Sequence, residues 1–266
     1  MLSITSVVKR HSLVTFFVLA YGLSWGNSIL SATWPNSPVL FPVGPFVAAL
    51  IVASVTRRRA GLQDLLRRCL RWRVGPQWYA AALLVPVAIT LTAVSLNILL
   101  GATMPTAAQL GSWYSLFLLF PAALVDAPLW EETGWRGYAM PRFPASRSPV
   151  ANTLLLGVLF AAWHLPLALA DCARAAPYLI AGIASAVMTN WGYYNTRESA
   201  LLAILYHTAA NTIGGFYFFP MFSGPDSVRL WWLYAAVYCV AAVVVVLAAG
   251  PNLQRQPPAK TVEVVM

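Results

Sequence analysis

The sequence predicts an all-α fold, a polytopic bundle of about eight transmembrane helices. Three observations support this prediction: the composition, the spacing of apolar segments and the placement of basic residues. Of the 266 residues, 59% are hydrophobic and only 9% are charged, and the mean hydropathy is +0.68. A soluble globular domain has roughly 25% charged residues. So few charged side chains cannot cover a water-facing surface, and the sequence therefore indicates a protein whose solvent is largely lipid.

Eight apolar segments are long enough to cross about 30 Å of bilayer hydrocarbon at about 1.5 Å per helical residue. In chain order they are Leu13–Leu30, Val39–Val55, Trp78–Leu100, Leu116–Tyr138, Val150–Leu169, Pro177–Tyr194, Ser199–Phe219 and Trp231–Ala249. The first follows Lys9 and Arg10, which is typical of an uncleaved span rather than a signal peptide. The fourth contains acidic residues, and we extend it to Tyr138 because the next turn signal begins at Met140.

The basic residues provide an independent check on this topology. With eight spans and both termini in the cytoplasm, fifteen of the seventeen Lys and Arg residues lie on the cytoplasmic side. Only Arg174 and Arg229 lie on the opposite side. Cytoplasmic loops of membrane proteins carry an excess of basic residues. The sequence therefore predicts a multi-pass protein of the cell membrane with both termini cytoplasmic.

One basic segment, Arg57–Arg73, contains interleaved leucine and tryptophan residues. This pattern predicts a short interfacial helix that lies on anionic lipid headgroups. A plain topology anchor is one interpretation of the segment, and a substrate or effector site is another. Nucleic acid is excluded as the partner, because the basic residues lie between apolar segments, where topology signals occur.

The chain has no visible internal repeat and reads as one domain. We predict a single transmembrane domain over residues 1–251, with a motif-bearing core at about residues 112–215. Residues 252–266 are polar and contain proline, and they predict a disordered cytoplasmic tail. The three cysteines have neither CxxC nor metal-ligand spacing.

Ionisable residues are concentrated in a few of the apolar segments. Five of the eight acidic residues lie in predicted loops or the tail, whereas Asp126, Glu131 and Glu132 share the fourth segment. His164 and His207 lie within the fifth and seventh segments. Polar groups in hydrocarbon are costly unless they find partners, so each of these residues is a candidate functional residue.

Three local patterns contain these candidates. They are Glu131-Glu132 followed by Arg136, Phe160 followed by His164, and His207 followed by Asn211. Glu132 and Arg136 are four residues apart, so the arginine can compensate a buried carboxylate, whereas Glu131 points elsewhere. Counted from the cytoplasmic helix ends, the patterns lie roughly 10 to 20 Å deep. These depths allow one cluster that is reached from the cytoplasmic side.

A carboxylate and two histidines can support hydrolysis of a carbonyl in two ways. Glu131, His164 and His207 could hold a zinc ion with an open position for water. Alternatively, the carboxylate takes a proton directly from a water that a histidine holds, while His and Asn donors stabilise the oxyanion. The residues leave both possibilities open.

Other functions also fit the same residues. An intramembrane His or Asn usually makes a packed helix–helix contact, so the cluster could be a structural polar network in an immunity or scaffold protein. A proton-coupled transporter is a further alternative, although paired discontinuous helices with repeat symmetry are not visible. The sequence contains no HExxH, Walker or dinucleotide-binding signature.

The three patterns, in this order, resemble the signature of the CPBP family of intramembrane proteases. This family includes the type II CAAX prenyl endopeptidases and the bacteriocin-immunity (Abi) proteins. Its motifs EExxxR, FxxxH and HxxxN match Glu131–Arg136, Phe160–His164 and His207–Asn211 without substitution. The flanking sequences Gly134–Tyr138, Trp163–Pro166 and Ser199–Leu202 are also similar to the family, and the resemblance covers about residues 112–215.

The resemblance implies a role for each matched residue. Glu131 would activate the attacking water, His164 would help to hold it, and His207 and Asn211 would stabilise the oxyanion. Glu132, Arg136 and Phe160 would support the site. Members of the family have been described both as metalloproteases and as metal-independent glutamate proteases, so the resemblance leaves zinc or no cofactor as alternatives. The implied partner is a membrane-tethered peptide or protein, lipidated in the CAAX-type members.

Overall fold

The computed structural model of the protein describes residues 4–31 and 39–254. Every regular element in these two ranges is helical, which confirms the all-α prediction. The α-helices are α1 Ile4–Arg10, α2 Ser12–Ser31, α3 Gly44–Cys69, α4 Pro76–Leu99, α5 Ala107–Gly111, α6 Leu116–Asp126, α7 Pro128–Glu132, α8 Pro149–Trp163, α9 Leu165–Ala170, α10 Cys172–Asn195, α11 Ala200–Ala210 and α12 Gly224–Ala249. Two π-helical segments, Thr133–Ala139 and Asn211–Phe218, continue α7 and α11.

Four helices among the described residues are long and apolar enough to cross a membrane, judged by length and composition. They are Pro76–Leu99, Ala107–Asp126, Cys172–Asn195 and Gly224–Ala249, of which the second combines α5, a 3-10 turn and α6. Shorter apolar helices occupy Ser12–Gly26 and Pro149–Trp163. These helices fit a helical membrane bundle. The number of spans, eight, and the orientation of the termini stay predictions.

The fourth predicted segment, Leu116–Tyr138, is not one helix. Ala127 has φ −140° and ψ −54°, which ends α6 and lets α7 begin at Pro128. The ring of a proline clashes with an α-helical residue before it, so the break follows from the Ala-Pro sequence. As a result, Asp126 is exposed at the end of α6, and it does not share a helix with the two glutamates.

The basic segment is not an independent short helix either. Its helical part is the second half of α3, which runs to Cys69 across an interruption at Arg58, where φ is +48° and ψ is −136°. Leu62, Leu66 and Leu70 are exposed at four-residue spacing. This exposed apolar stripe suits an interfacial position, and contact with anionic headgroups stays a prediction.

Ion pairs attach this segment to the turn between α10 and α11. Arg68 pairs with both Asp64 and Glu198, and Arg67 lies 2.5 Å from Asp64. Burial raises the pKa of the Asp64 carboxyl, but hydrogen bonds and charges from the two arginines outweigh it, so its pKa is lowered from the usual value. Ser199 Oγ donates a hydrogen bond of 2.7 Å to the Arg71 carbonyl and provides a further attachment.

The start of the predicted tail is packed rather than disordered. Leu253 is fully buried, and its carbonyl accepts a hydrogen bond of 2.7 Å from Asn195 Nδ2. The Val150 amide donates to the Pro251 carbonyl at 3.0 Å. Residues 252–254 are thus packed against the bundle, and the remainder of the predicted tail, residues 255–266, lies outside the described residues.

The buried apolar residues form two clusters. One joins α4, α10, α11 and α12, and the other joins α2, α3, α8 and the π-helical segment Thr133–Ala139. Phe160 belongs to the second cluster and Tyr206 to the first, and both line one central cavity. The motif residues therefore lie where the two apolar clusters meet.

Candidate active site

Each motif-bearing helix begins at a recognisable start signal. Ser148 caps α8 by accepting a hydrogen bond from the Ala151 amide, and Pro149 follows as the first helical residue. Ser199 caps α11 in the same way, and α7 begins at Pro128. These signals fix where each helix starts, and hence which residues of each motif face inward.

Two of the three motifs extend into π-helical turns. Arg136 lies within the π-helical segment that follows the glutamates, and Asn211 begins the one that follows His207. Short π-helical turns within α-helices occur frequently at functional sites. A spacing argument that assumes 3.6 residues per turn did not predict them.

The first buried network centres on Glu132. Arg136 Nη1 lies 2.9 Å from both carboxylate oxygens of Glu132, and His207 Nδ1 lies 3.0 Å from Oε1. Glu132 and Arg136 are 1% and 2% exposed, so the charge of each is compensated by the other rather than by water. The predicted pairing of Glu132 with Arg136 thus occurs, and Glu132 also orients His207.

The neighbouring carboxylate, Glu131, has a different environment. It is 3% exposed, and its Oε2 has no hydrogen-bond partner within the described part of the chain. His164 Nε2 lies 4.0 Å from this oxygen. That separation is too long for a direct hydrogen bond and suits a single bridging water, which makes two hydrogen bonds of about 2.8 Å.

His164 is held by its own helix. Its Nδ1 lies 2.9 Å from the Phe160 carbonyl oxygen, which can only accept, so Nδ1 carries the proton and Nε2 is an acceptor when the ring is neutral. The ring packs against Phe160 and Trp163, with centroids 4.4 and 4.7 Å apart. His164 lies at the junction of α8 and α9, because the helix ends at Trp163 shortly before Pro166.

A cavity of about 130 Å³ opens beside these groups. Of the predicted site residues, it is lined by Glu132, Arg136, Phe160, His164, His207 and Asn211. Its other walls are largely aromatic, with Tyr178, Tyr206, Phe219, Trp231, Tyr234 and Tyr238. Glu131 is absent from the lining, so three of the four predicted catalytic residues face the cavity, and the fourth is buried with its Oε2 4.0 Å from His164 Nε2. Their catalytic roles stay predictions.

The proposed zinc ligands do not form a three-ligand site in this geometry. Among the described residues, no group of three His, Cys, Asp or Glu side chains is arranged to hold a metal ion. Glu131 and His164 approach to 4.0 Å, but His207 directs Nδ1 at Glu132 instead. A catalytic zinc takes three protein ligands at about 2 Å, so we derive no step through a metal.

Two residues at the site were not predicted from the sequence. Asn190 on α10 accepts a hydrogen bond of 3.1 Å from Arg136 Nε, and Tyr178 on the same helix packs its ring 5.6 Å from that of His164. Neither belongs to a motif with a characteristic spacing. A polar residue on an otherwise apolar helix was the only available signal, and that signal is typical of ordinary packing contacts.

Comparison with protein families finds a match over the part of the chain that contains the three motifs. Residues 112–213 match the family model described as type II CAAX prenyl endopeptidase Rce1-like. The chain is also 22% identical over 223 residues to CAAX prenyl protease 2 of Methanococcus maripaludis, which covers 76% of this chain and 82% of that protein. The family match includes all three motifs and both residues on α10.

Proposed function

We propose that this chain, whose residues 112–213 match the Rce1-like family model and which is similar to the archaeal CAAX prenyl protease 2, is an intramembrane endopeptidase of the CPBP family that hydrolyses a peptide bond of a membrane-tethered protein. One observation carries the proposal. The Glu131 carboxylate is buried, has an oxygen without a partner in the described part of the chain, and lies 4.0 Å from an acceptor nitrogen of His164. This pair is suited to holding and activating one water.

The proposed chemistry uses three side chains that line the cavity, those of His164, His207 and Asn211, together with the buried Glu131 carboxylate beside His164. Glu131 takes a proton from the water as its oxygen attacks the scissile carbonyl, and His164 Nε2 accepts the water's other hydrogen bond. The electron pair of the carbonyl moves to its oxygen, where His207 and Asn211 donate hydrogen bonds. The intermediate then collapses, the C–N bond breaks, and Glu131 returns the proton to the leaving amine.

The paired neighbours define a separate role for Glu132. Its oxygens are engaged by Arg136 and His207, so it is not free to accept a proton from water. A negative carboxylate at Nδ1 supports a doubly protonated His207, which can then donate from Nε2 toward the oxyanion. The adjacent glutamates therefore have different roles: Glu131 is the base, and Glu132 orients His207.

The substrate we propose is a peptide whose attached lipid holds it at the bilayer. The cavity beside His164 and His207 has a volume of about 130 Å³ and contains several aromatic side chains in its lining, which suits contact with apolar side chains of a peptide. A CAAX-type substrate, cleaved after its lipidated cysteine, agrees with the name of the archaeal relative. The proposal of a CAAX-type substrate is based on the similarity to the archaeal protease, whereas the proposal of peptide hydrolysis is based on the Glu131–His164 pair.

The experiment is cleavage of a library of prenylated CAAX peptides by purified protein in nanodiscs. Glu131→Ala and His164→Ala should each abolish release of the C-terminal tripeptide, because each removes one of the two groups that hold the water. Both variants should retain the wild-type elution profile. Cleavage that survives both substitutions would contradict the proposed function.

Whether the protein also uses a metal is a separate measurement. Elemental analysis of protein purified without chelator reports bound zinc directly. Sub-stoichiometric zinc with activity that a chelator does not change would favour the direct glutamate mechanism. One equivalent of zinc, removed together with activity, would favour a metal centre that forms only when the ion binds.

One observation favours a second candidate, a non-catalytic immunity or scaffold protein. Glu132, Arg136 and His207 form a mutually paired buried network, which is also what a purely structural polar core requires. That candidate predicts that Glu131→Gln keeps the cellular phenotype of the wild type. The protease predicts that the same substitution abolishes it.

A further inference from the structure

Asn190 lies in the middle of the site without belonging to any of its motifs. It is on α10, between the helices that carry the second and third motifs, and its side chain is fully buried. Its Oδ1 accepts a hydrogen bond of 3.1 Å from Arg136 Nε. Its Nδ2 donates one of 3.0 Å to Thr153 Oγ1 on α8. Both ends of this amide are therefore engaged.

These contacts extend the Glu132 network into a series of hydrogen bonds that connects five helical segments. Its members, in order, are Thr153 on α8, Asn190 on α10, Arg136 in the π-helical segment, Glu132 on α7 and His207 on α11. Every link is 2.9 to 3.1 Å. This series of hydrogen bonds begins at the Thr153 hydroxyl, which is outside the cavity lining, and ends at the His207 imidazole, which is part of the lining.

We propose that Asn190 is a positioning residue of the site, which acts through Arg136 and Glu132 to hold His207 with Nδ1 toward Glu132 and Nε2 toward the cavity. The kinetic part of this proposal rests on the proposed function, because it concerns the rate of the same reaction. The structural part does not depend on any activity.

The geometry of the guanidinium explains why Asn190 matters. Arg136 uses Nη1 for Glu132 and Nε for Asn190, so the two contacts fix the plane of the group from different edges. Without an acceptor at Nε, a buried donor is left unsatisfied and the guanidinium can turn to find another partner. Glu132 would move with it, and His207 would then lose the partner that holds the proton on its Nδ1.

The first test compares Asn190→Ala with a matched control, Asn97→Ala. Asn97 is also fully buried, accepts a hydrogen bond of 2.8 Å from Arg229 Nε and donates one to the Asp226 carbonyl, but it lies outside the cavity lining. We expect Asn190→Ala to lower kcat by about 10-fold or more with KM within about 2-fold, as for other residues that orient a catalytic group. Asn97→Ala should leave kcat unchanged.

The second test reads His207 directly and requires no activity. The chain contains only three histidines, His11, His164 and His207, so ¹⁵N-histidine labelling gives a spectrum that single substitutions can assign. In the wild type, the His207 signals should report protons on both Nδ1 and Nε2. In Asn190→Ala, the signal of the Nδ1 proton should weaken or disappear, while those of His164 stay in place.

Two substitutions at Thr153 keep the test informative if Asn190→Ala does not fold. Thr153→Val removes the oxygen that receives the Asn190 amide and should move His207 in the same direction. Thr153→Ser retains that oxygen and should restore the wild-type signature. Wild-type His207 signals in both Asn190→Ala and Thr153→Val, or an equal loss of kcat in Asn97→Ala, would overturn the proposal.

The experiments distinguish failure of the proposed protease function from failure of the positioning role of Asn190. If the wild type cleaves no peptide but the Nδ1 proton of His207 still depends on Asn190, the proposed function fails and the positioning contact stands. If peptides are cleaved but His207 and kcat do not respond to Asn190, the proposed function stands and the positioning role fails.

Discussion

Glu131 and Glu132 are adjacent in sequence but have different partners. Glu132 is bound by Arg136 and His207, whereas Glu131 has an oxygen without a partner in the described part of the chain and a histidine nitrogen 4.0 Å from it. A carboxylate that is already paired is a poor base, and one that is buried beside an acceptor histidine is placed to take a proton from a shared water. The environment, rather than the residue type, separates the two roles.

Substitution of Arg136 tests how much this buried network contributes to the stability of the protein. Arg136→Ala leaves the Glu132 carboxylate buried without its compensating charge, which typically costs about 3–5 kcal/mol. We expect a loss of this size in the free energy of unfolding, measured by denaturing-detergent titration of the purified protein.

The matched control is Arg174→Ala. Arg174 also pairs with an acidic residue, Asp171, but their side chains are 44% and 37% exposed. Water and ions replace such a partner readily, so unfolding should change little. Equal effects of the two substitutions would contradict the compensation that we assign to Arg136.

The sequence predicts side-chain contacts within a motif, but it does not predict contacts between residues on different helices. The four-residue spacing of Glu132 and Arg136 predicted a contact that the structure contains, because the geometry of a helical turn is local. Asn190 and Arg136 meet across 54 sequence positions. No periodicity encodes that contact, which depends on how α10 packs against the π-helical segment.

At the scale of elements, short breaks determine where the motif residues face. A continuous fourth span would have placed Asp126 on the same helix as the glutamates. The Ala127–Pro128 break instead separates them, and the π-helical segments shift Arg136 and the residues after Asn211 relative to a regular α-helix. The sequence predicted where the apolar helical regions lie, whereas these breaks depend on local backbone geometry that hydropathy does not report.

Close packing of the π-helical segment against α3 supports the first motif. A Cβ added at Gly134 would lie 2.5 Å from Pro45 Cβ and 2.7 Å from the Pro45 carbonyl oxygen. We therefore expect Gly134→Ala to destabilise the protein by about 1–3 kcal/mol through overpacking, and to reduce cleavage because the neighbouring motif residues move with the backbone. Thermal unfolding and the peptide assay measure the two effects.

Gly192→Ala is the control for this substitution. Gly192 lies within α10, and a Cβ added there would meet no atom within 4 Å. Alanine favours a helix over glycine by roughly 0.5–1 kcal/mol, so this variant should be as stable as the wild type or more stable. A Gly134→Ala protein that matches it in stability would show that the segment can yield to the added methyl group.

At the scale of the whole molecule, polar contacts join separate helices at each end of the bundle. At one end Arg68 of α3 pairs with Glu198 in the turn between α10 and α11, and at the other Arg229 of α12 donates a hydrogen bond of 2.8 Å to Asn97 of α4. The fold class and the family could be predicted from composition and from three spaced motifs. Composition and motifs do not fix the number of spans in the same way, because several helices are short or broken and the bilayer boundary depends on lipid.

The predicted orientation can be tested with the native cysteines. Cys172 is exposed near Arg174, on the side that the topology places outside the cytoplasm, whereas Cys69 ends α3 in the basic segment on the cytoplasmic side. A membrane-impermeant maleimide should label Cys172 in intact spheroplasts, and Cys172→Ser should abolish this labelling. Labelling of Cys172 only after the membrane is permeabilised would reverse the predicted orientation.

The most direct test of the central claim is cleavage in H₂¹⁸O. Wild-type protein with a prenylated, membrane-tethered CAAX peptide should yield a shortened peptide with one ¹⁸O in its new carboxyl group, together with an unlabelled tripeptide. Glu131→Gln should slow this reaction by about 100-fold or more, the share typical of a general base. Asp126→Asn, at an exposed acid five residues earlier, should not. No ¹⁸O-labelled product from the wild type, or equal rates for the wild type and Glu131→Gln, would contradict a glutamate-activated intramembrane protease.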